Sequence, residues 1–193
     1  DVYKRQVGIK SYFLEEAMTI IDPEVEFVSG HPMAGREKKG YGYASKEVFK
    51  NANYILIEHP VNQKECISFM ERFVGTLGFK SVKIMSPQAH DEIISFTSQL
   101  PHAIAVSLIN SDNEKYETGK YIGDSYRDLT RIANINENLW SELFLRNSDY
   151  LLASIEAFEE QLDLIKVALK DNDERLLKDL FIKSSLRREK LEK

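Results

Sequence analysis

The run YILIEHPVNQKECISFMERFVGTLGFKSVKIMS, residues 54–86, decides the fold. Residues 54–57 are apolar and β-prone, and residues 62–78 have the apolar spacing of an amphipathic helix. Residues 80–85 alternate apolar and polar side chains as a strand does. Strand, helix and strand in that order predict the end of an α/β domain with a partly parallel sheet.

The residues before this run predict shorter elements. Residues 11–21 have helical spacing and stop at Asp22-Pro23, and residues 26–29 indicate a brief strand. Residues 30–42 are rich in Gly, Pro and Lys and indicate a loop. Because there is no initiator Met, we expect that the chain starts within a longer protein and that residues 1–6 are not native.

From Ser86 onward the sequence predicts only helices. Ser86 is a suitable N-cap with Pro87 at the first helical position, so a long helix should begin here and run to about Asn110, kinked at Pro101. Further helices are predicted over residues 127–133, 136–146, 148–169 and 173–192. The fold class is therefore an α/β remnant over residues 1–85 followed by an all-helical domain over residues 86–193.

The bulk composition excludes several classes of protein. The net charge of -5 argues against a nucleic-acid partner, which favours a basic surface. No apolar run approaches the ~18 residues that span a bilayer, so we expect no membrane partner. Cys66 is the only cysteine, which excludes an intrachain disulfide, fits a reducing cytoplasm and leaves no metal-ligand cluster around it.

The helix predicted over residues 148–169 carries a broad apolar stripe. Its members are Leu151, Leu152, Ile155, Phe158, Leu162 and Ile165. Such a stripe usually packs inside its own chain. Because several predicted helices of the same domain are long and apolar-striped, a helical homodimer interface is a second interpretation.

His31 stands between Gly30 and Pro32 in the predicted loop. An imidazole exchanges protons near neutral pH, so His31 is a candidate general acid or base, although loop histidines are often simply exposed. Two other histidines, His59 and His90, are predicted to be surface or capping residues.

A second group of candidates lies in the helical part. Ser98 and His102 share a helix face beside Pro101, where a kink can open a pocket, and satisfying local backbone groups is the equally weighted alternative. Arg127 and Arg131 share a face too, and arginine grips carboxylates with two donors, although a solvated charged face is the usual role. 

Trp140 is the only tryptophan, and a core position is its usual role. The sequence contains neither a Walker phosphate loop nor Gly-x-Gly-x-x-Gly, so no cofactor-binding residue is predicted.

Three blocks of residues together resemble prephenate dehydrogenases of tyrosine biosynthesis. They are Gly30-His31-Pro32-Met33-Ala34-Gly35 with Glu37, Leu100-Pro101-His102 with Ser98, and Asp128-x-Thr130-Arg131-Ile132-Ala133 followed by Trp140. The resemblance extends from about Val7 to the C-terminal helices. It implies that residues 1–85 are the C-terminal part of a dinucleotide-binding, Rossmann-like domain and that residues 86–193 form a substrate-binding and dimerisation domain.

The resemblance also implies a reaction and its residues. Prephenate is oxidatively decarboxylated to 4-hydroxyphenylpyruvate, with NAD or NADP as hydride acceptor, and the enzyme is a homodimer. His31 would accept the ring hydroxyl proton and Arg131 would bind a carboxylate. Ser98 and His102 would line the same pocket, with Glu37 and Trp140 in supporting roles.

Some positions depart from the family pattern. Gly8-Ile9-Lys10 resembles the remnant of a Gly-Ser-x-Lys segment, and Arg36 and Gln99 differ from the residues common in relatives, with a second histidine frequent at the latter position. These departures leave arogenate dehydrogenase as an alternative. A non-catalytic helical dimerisation module is the alternative from another class. Without the Gly-rich motif, we expect the chain alone to be inactive.

Overall fold

The computed structural model describes residues 8–34, 42 and 45–191. It shows a small α/β part followed by a mainly helical part, which confirms the predicted fold class. The α/β part contains α1 (Ser11–Met18), β1 (Ser29–Met33), β2 (Asn53–Ile57), α2 (Lys64–Gly75) and β3 (Ser81–Met85).

The three strands form one sheet with β2 in the centre. β1 pairs with β2 antiparallel and β3 pairs with it parallel, so the prediction of a partly parallel sheet is confirmed. Ile55, Leu56 and Ile57 of β2 are all buried. Ile55 and Ile57 cluster with Leu14 of α1, while Leu56 alternates to the opposite face. Both faces of β2 are therefore covered.

β1 corrects the predicted boundaries of this region. Residues 30–33 were predicted as loop, yet they pair with β2, Gly30 opposite Leu56 and His31 opposite Ile55. A Cβ on Gly30 would lie 2.0 Å from the Tyr54 hydroxyl, so the strand needs glycine for packing. Most of the remaining predicted loop lies outside the described residues.

The helical part follows directly after β3. Its helices are α3 (Pro87–Ile94), α4 (Leu100–Asn110), α5 (Asp124–Thr130), α6 (Glu137–Arg146), α7 (Ser148–Lys170) and α8 (Glu174–Leu191). Short 3-10 turns occur at Lys46–Val48, Thr118–Lys120 and Arg131–Ala133. As predicted, the Ser86 hydroxyl caps α3 by accepting the Ala89 N–H at 3.2 Å.

α3 and α4 are joined by a π-helical turn, Ser95–Gln99, so one continuous helical path runs from Pro87 to Asn110. Pro101 lacks an N–H and its ring crowds the carbonyl four residues earlier. A widened turn just before the proline relieves that crowding, which is one of the recognised origins of a helix distortion. The predicted disturbance at Pro101 thus takes the form of a π-turn.

The last two helices leave many apolar side chains exposed. On α7 and α8 they are Leu152, Phe158, Leu162, Leu164, Val167, Leu169, Phe181, Ile182, Leu186 and Leu191. Exposed apolar side chains in this number on two adjacent helices are more than the scattered single residues that most protein surfaces carry. Among the described residues, no helix combines the length and the apolar character that crossing a membrane requires.

Candidate active site

His31 lies on the edge strand β1, close to the junction between the α/β part and α3. Its Nδ1 lies 2.8 Å from Nε2 of His90, the fourth residue of α3. His90 Nδ1 in turn lies 2.8 Å from Oδ1 of Asp91. Three side chains therefore form a hydrogen-bonded relay from a buried carboxylate to the half-buried His31.

The Asp91 end of the relay is tied to the start of α1. Asp91 Oδ1 accepts the backbone N–H of Lys10 at 2.7 Å, and Oδ2 accepts that of Ser11 at 2.8 Å. These donors lie about eighty positions away in sequence. A carboxylate that accepts several N–H groups holds its charge, and the pKa of Asp91 is accordingly lowered: burial opposes the shift but the hydrogen bonds of His90, Ser11 and Lys10 outweigh it.

The structure corrects the interpretation of His90. It was predicted to be a surface or capping residue, but it is 0% exposed, and its neighbour Asp91 is 1% exposed. Pro87, His90, Asp91 and Ile94 are all buried. Their spacing of three and four positions, i, i+3, i+4 and i+7, is the sequence signal that places His90 on the inner face of α3. The prediction failed because the first turn of a helix is usually solvated.

Burial controls the charge of His31. Desolvation lowers the pKa of His31 to about 4, with repulsion from His90 and Lys10 adding to the effect and Asp91 opposing it. His31 is therefore a neutral imidazole at neutral pH.

The direction of the hydrogen bonds follows from the carboxylate. Ionised Asp91 only accepts, so His90 Nδ1 carries a proton and, in neutral His90, Nε2 accepts. His31 Nδ1 then donates to it, which leaves His31 Nε2 without a proton. The relay thus presents a bare imidazole nitrogen that can accept a proton, with a carboxylate behind it to stabilise the resulting positive charge.

A second cluster lies on α4 and α6. His102 Nδ1 donates to the Ser98 carbonyl at 2.8 Å. The His102 ring stacks on Trp140, with ring centroids 3.6 Å apart and planes 28° apart. The Phe144 ring packs edge-on against the Trp140 ring. Ser98, His102 and Trp140 are therefore brought together, and each of the three is half-buried rather than enclosed.

Arg131 opens the 3-10 turn Arg131–Ala133, which packs against α4. Arg131 is exposed. Arg127, on the preceding helix, pairs with Asp124 at 3.4 Å on the surface. The two arginines therefore belong to different local structures, and both of these structures pack against the helix that carries His102.

A buried polar network extends from Asp91 through the helical part. Asn147 Nδ2 donates to the Asp91 carbonyl at 3.0 Å and to Gln99 Oε1 at 2.7 Å. Gln99 Nε2 donates to the Leu143 carbonyl at 2.9 Å. Gln99 is thus a buried structural residue that ties the π-turn before α4 to α6 inside the helical part.

The remaining sequence candidate, Glu37, lies outside the described residues. Within the described ranges, no group of three or more His, Cys, Asp or Glu side chains is arranged to hold a metal ion. The described strands and helices also form no glycine-rich cradle for a dinucleotide, since the whole sequence lacks Gly-x-Gly-x-x-Gly.

Two family patterns match the chain. Residues 3–83 match "Prephenate dehydrogenase, nucleotide-binding domain" and residues 86–183 match "Prephenate dehydrogenase, dimerization domain". The chain belongs to the prephenate dehydrogenase family. This membership confirms the resemblance drawn from the three blocks of sequence.

Individual relatives agree with the family assignment. The chain is 29% identical to a prephenate dehydrogenase of Bacillus subtilis over 168 residues, covering 85% of this chain and 45% of the relative. It is 30% identical to one of Lactococcus lactis, covering 82% and 44%. A cyclohexadienyl dehydrogenase of Zymomonas mobilis is 28% identical. The chain thus spans about half the length of the curated relatives it matches.

Solved structures of relatives share the fold. A prephenate dehydrogenase from A. aeolicus, in complex with hydroxyphenyl propionate and NAD+, superposes with a TM-score of 0.81 at 29% identity, covering 94% of this chain and 64% of that one. Synechocystis arogenate dehydrogenase superposes with a TM-score of 0.82 at 24% identity, covering 95% and 67%. The second likeness concerns the fold alone.

Proposed function

We propose that the full-length protein carrying this chain is a prephenate dehydrogenase that converts prephenate to 4-hydroxyphenylpyruvate and carbon dioxide. The observation that carries this proposal is the relay from Asp91 through His90 to His31, within the Gly30-His31-Pro32-Met33-Ala34 block. A relay of this kind supplies the base that oxidation of a hydroxyl-bearing carbon requires. The names of the relatives support the substrate.

His31 Nε2 is proposed to accept the proton of the prephenate ring hydroxyl. As this proton leaves, the hydroxyl oxygen forms a carbonyl and the hydrogen on the same carbon departs with its electron pair. The bond to the ring carboxylate then breaks, carbon dioxide is released and its electrons complete the aromatic ring. The phenolate oxygen recovers a proton from the His31 imidazolium, so the base is regenerated.

Arg131 is proposed to bind a substrate carboxylate. A dianionic substrate needs a fixed cation, and a guanidinium offers two parallel donors. Ser98 and His102 are proposed to line the same pocket. Trp140 is proposed to act indirectly, because its stack on His102 fixes the plane of the imidazole ring.

The hydride acceptor is proposed to be NAD, as suggested by the nucleotide-binding family match and by the A. aeolicus complex with NAD+. The dinucleotide supplies only the acceptor for the hydride. Because the sequence contains no Gly-x-Gly-x-x-Gly motif, we expect another part of the full-length protein to bind its phosphates and the chain alone to be inactive.

The apolar surface of α7 and α8 is proposed to bind a second copy of the chain. This proposal rests on the exposed apolar side chains of both helices and on the match of residues 86–183 to a dimerization domain. We further propose that the boundary between the two domains lies near Ser86, where the two family matches meet. Sedimentation of the full-length protein should show a dimer, and a monomer at micromolar concentration would contradict the proposal.

The function is tested by assaying the full-length protein with prephenate or arogenate and with NAD+ or NADP+, following the absorbance of the reduced nicotinamide. We expect prephenate and NAD+ to support turnover. Turnover of arogenate alone would replace the proposed substrate. No turnover on either substrate would favour the non-catalytic dimerisation module.

A further inference from the structure

Lys10 is a buried lysine beside the relay, and the reaction described above makes no use of it. Lys10 is only 4% exposed. Burying an ammonium costs free energy unless the group is paired, so lysine is almost never fully buried without a partner. Burial lowers the pKa of Lys10 to about 8, and the charge of Asp91 opposes that shift.

Both ends of Lys10 contact the structure that holds His31. Its backbone N–H donates to Asp91 Oδ1 at 2.7 Å, at the far end of the relay. Its Nζ donates to the carbonyl of Gly30 at 3.0 Å, and Gly30 immediately precedes His31. The hydrogen bonds therefore form a closed ring through Lys10, Gly30, His31, His90 and Asp91.

Gly30 is also closely packed against Tyr54. The Tyr54 hydroxyl occupies the space that a Cβ on Gly30 would need, only 2.0 Å from the Cβ position. Gly30 therefore contacts both Tyr54 and the Lys10 ammonium.

We propose that Lys10 is a positioning residue for His31: its ammonium fixes the Gly30–His31 peptide, and its charge disfavours the imidazolium form of His31 before substrate binds. The proposal rests on the proposed function, in which neutral His31 is the base. In the described part of the chain, the charged or titratable groups that act on His31 are Lys10 on one side and His90 and Asp91 on the other.

Removal of the Lys10 charge should shift the pKa of His31 in one definite direction. A nearby cation destabilises the imidazolium, so removing Lys10 raises the pKa of His31. Because the base must be neutral, the acid limb of kcat/KM then moves to higher pH. A residue with a merely structural role would lower activity without moving this limb.

The test uses the full-length protein and three substitutions at one position. Lys10→Met removes the charge and the donor, Lys10→Gln keeps a donor without the charge, and Lys10→Arg keeps both. Lys64→Met, on the exposed surface of α2, is the control for loss of a positive charge. Two quantities are measured: the pH dependence of kcat/KM, and the titration of the His31 imidazole by NMR.

We expect both Lys10→Met and Lys10→Gln to raise the pKa of His31 and the acid limb by about one unit, a typical effect of one close charge. Lys10→Met should lower kcat further than Lys10→Gln. Lys10→Arg and Lys64→Met should leave the limb in place.

An unchanged His31 titration in Lys10→Gln would overturn the proposal, and so would a large rise in KM for substrate or dinucleotide with the limb unmoved, which would make Lys10 a ligand-binding residue. If Lys10→Met does not fold, the Gln variant still decides. The two proposals fail separately: a wild-type protein without dehydrogenase activity refutes the function, whereas the NMR titration still reports on Lys10.

Discussion

The relay and the His102–Trp140 cluster are built in opposite ways, although both contain a histidine. In the relay, His90 and Asp91 are almost fully buried, and both ring nitrogens of His90 have a hydrogen-bond partner. In the cluster, His102 and Trp140 stack with half-exposed surfaces, and the nearby Arg131 is exposed. Enclosure suits the control of a proton, because electrostatic effects are strong where water is excluded. A solvent-accessible cluster suits the binding of a ligand.

Substitutions in the relay should therefore lower kcat, and substitutions near the cluster should raise KM.

The largest effect is expected for His31→Asn in the full-length protein. Asparagine cannot accept the hydroxyl proton, so kcat should fall by about 10²- to 10⁴-fold, the usual contribution of a general base. KM for prephenate should stay within about threefold, since binding depends on other residues. Steady-state kinetics measure both, with His59→Asn as the matched control. An unchanged kcat in the His31 variant would end its role as base.

A smaller loss is expected for Asp91→Asn. In either orientation the new amide sets its NH2 group against a backbone N–H, that of Lys10 or that of Ser11. Where the NH2 group replaces Oδ1 it can only donate to His90 Nδ1, which drives the proton of His90 to Nε2 and that of His31 to its own Nε2, so the base is blocked. We expect kcat to fall by about 10²-fold at nearly constant KM, in the direction that an inverted tautomer gives in other histidine relays. The exposed neighbour provides the control, Glu92→Gln. Equal losses in both variants would show that the relay has no special role.

Arg131→Ala tests the prediction that substitutions near the His102–Trp140 cluster raise KM. Losing a charge-assisted hydrogen bond of about 1.5–3 kcal/mol should raise KM for prephenate by roughly 10- to 100-fold. The change in kcat should be no more than a few-fold. Arg127→Ala is the control, because Arg127 pairs with Asp124 on the surface. If Arg131→Ala lowers kcat and leaves KM unchanged, the division between the two regions is wrong.

Much of the fold was predictable because its signals are local. The strand–helix–strand order around β2 and the long helices α7 and α8 follow from periodicity within each segment. The strand that carries His31 was missed, because Gly30 and Pro32 are unusual in strands and only pairing with β2 reveals it.

The site was predictable only in part, for the same reason. His31 and the pair Ser98 and His102 stand in recognisable blocks, but His90 has no such block around it. Its burial results from α1 packing against α3, with Asp91 bonded to backbone donors about eighty positions away. Lys10 was identified only as part of a Gly-Ser-x-Lys remnant, since its contact with Gly30 also depends on the tertiary fold.

The relay should leave His31 Nε2 without a proton at neutral pH, and imidazole ¹⁵N NMR of the full-length protein tests this protonation pattern most directly. We predict that His31 and His90 both carry their proton on Nδ1 at pH ~7, with Nε2 of His31 bare. On acidification His31 should stay neutral below the ordinary histidine value of ~6.5, because burial lowers its pKa to about 4. A His90 imidazolium that donates to His31 Nδ1, with the His31 proton on Nε2, would contradict the account.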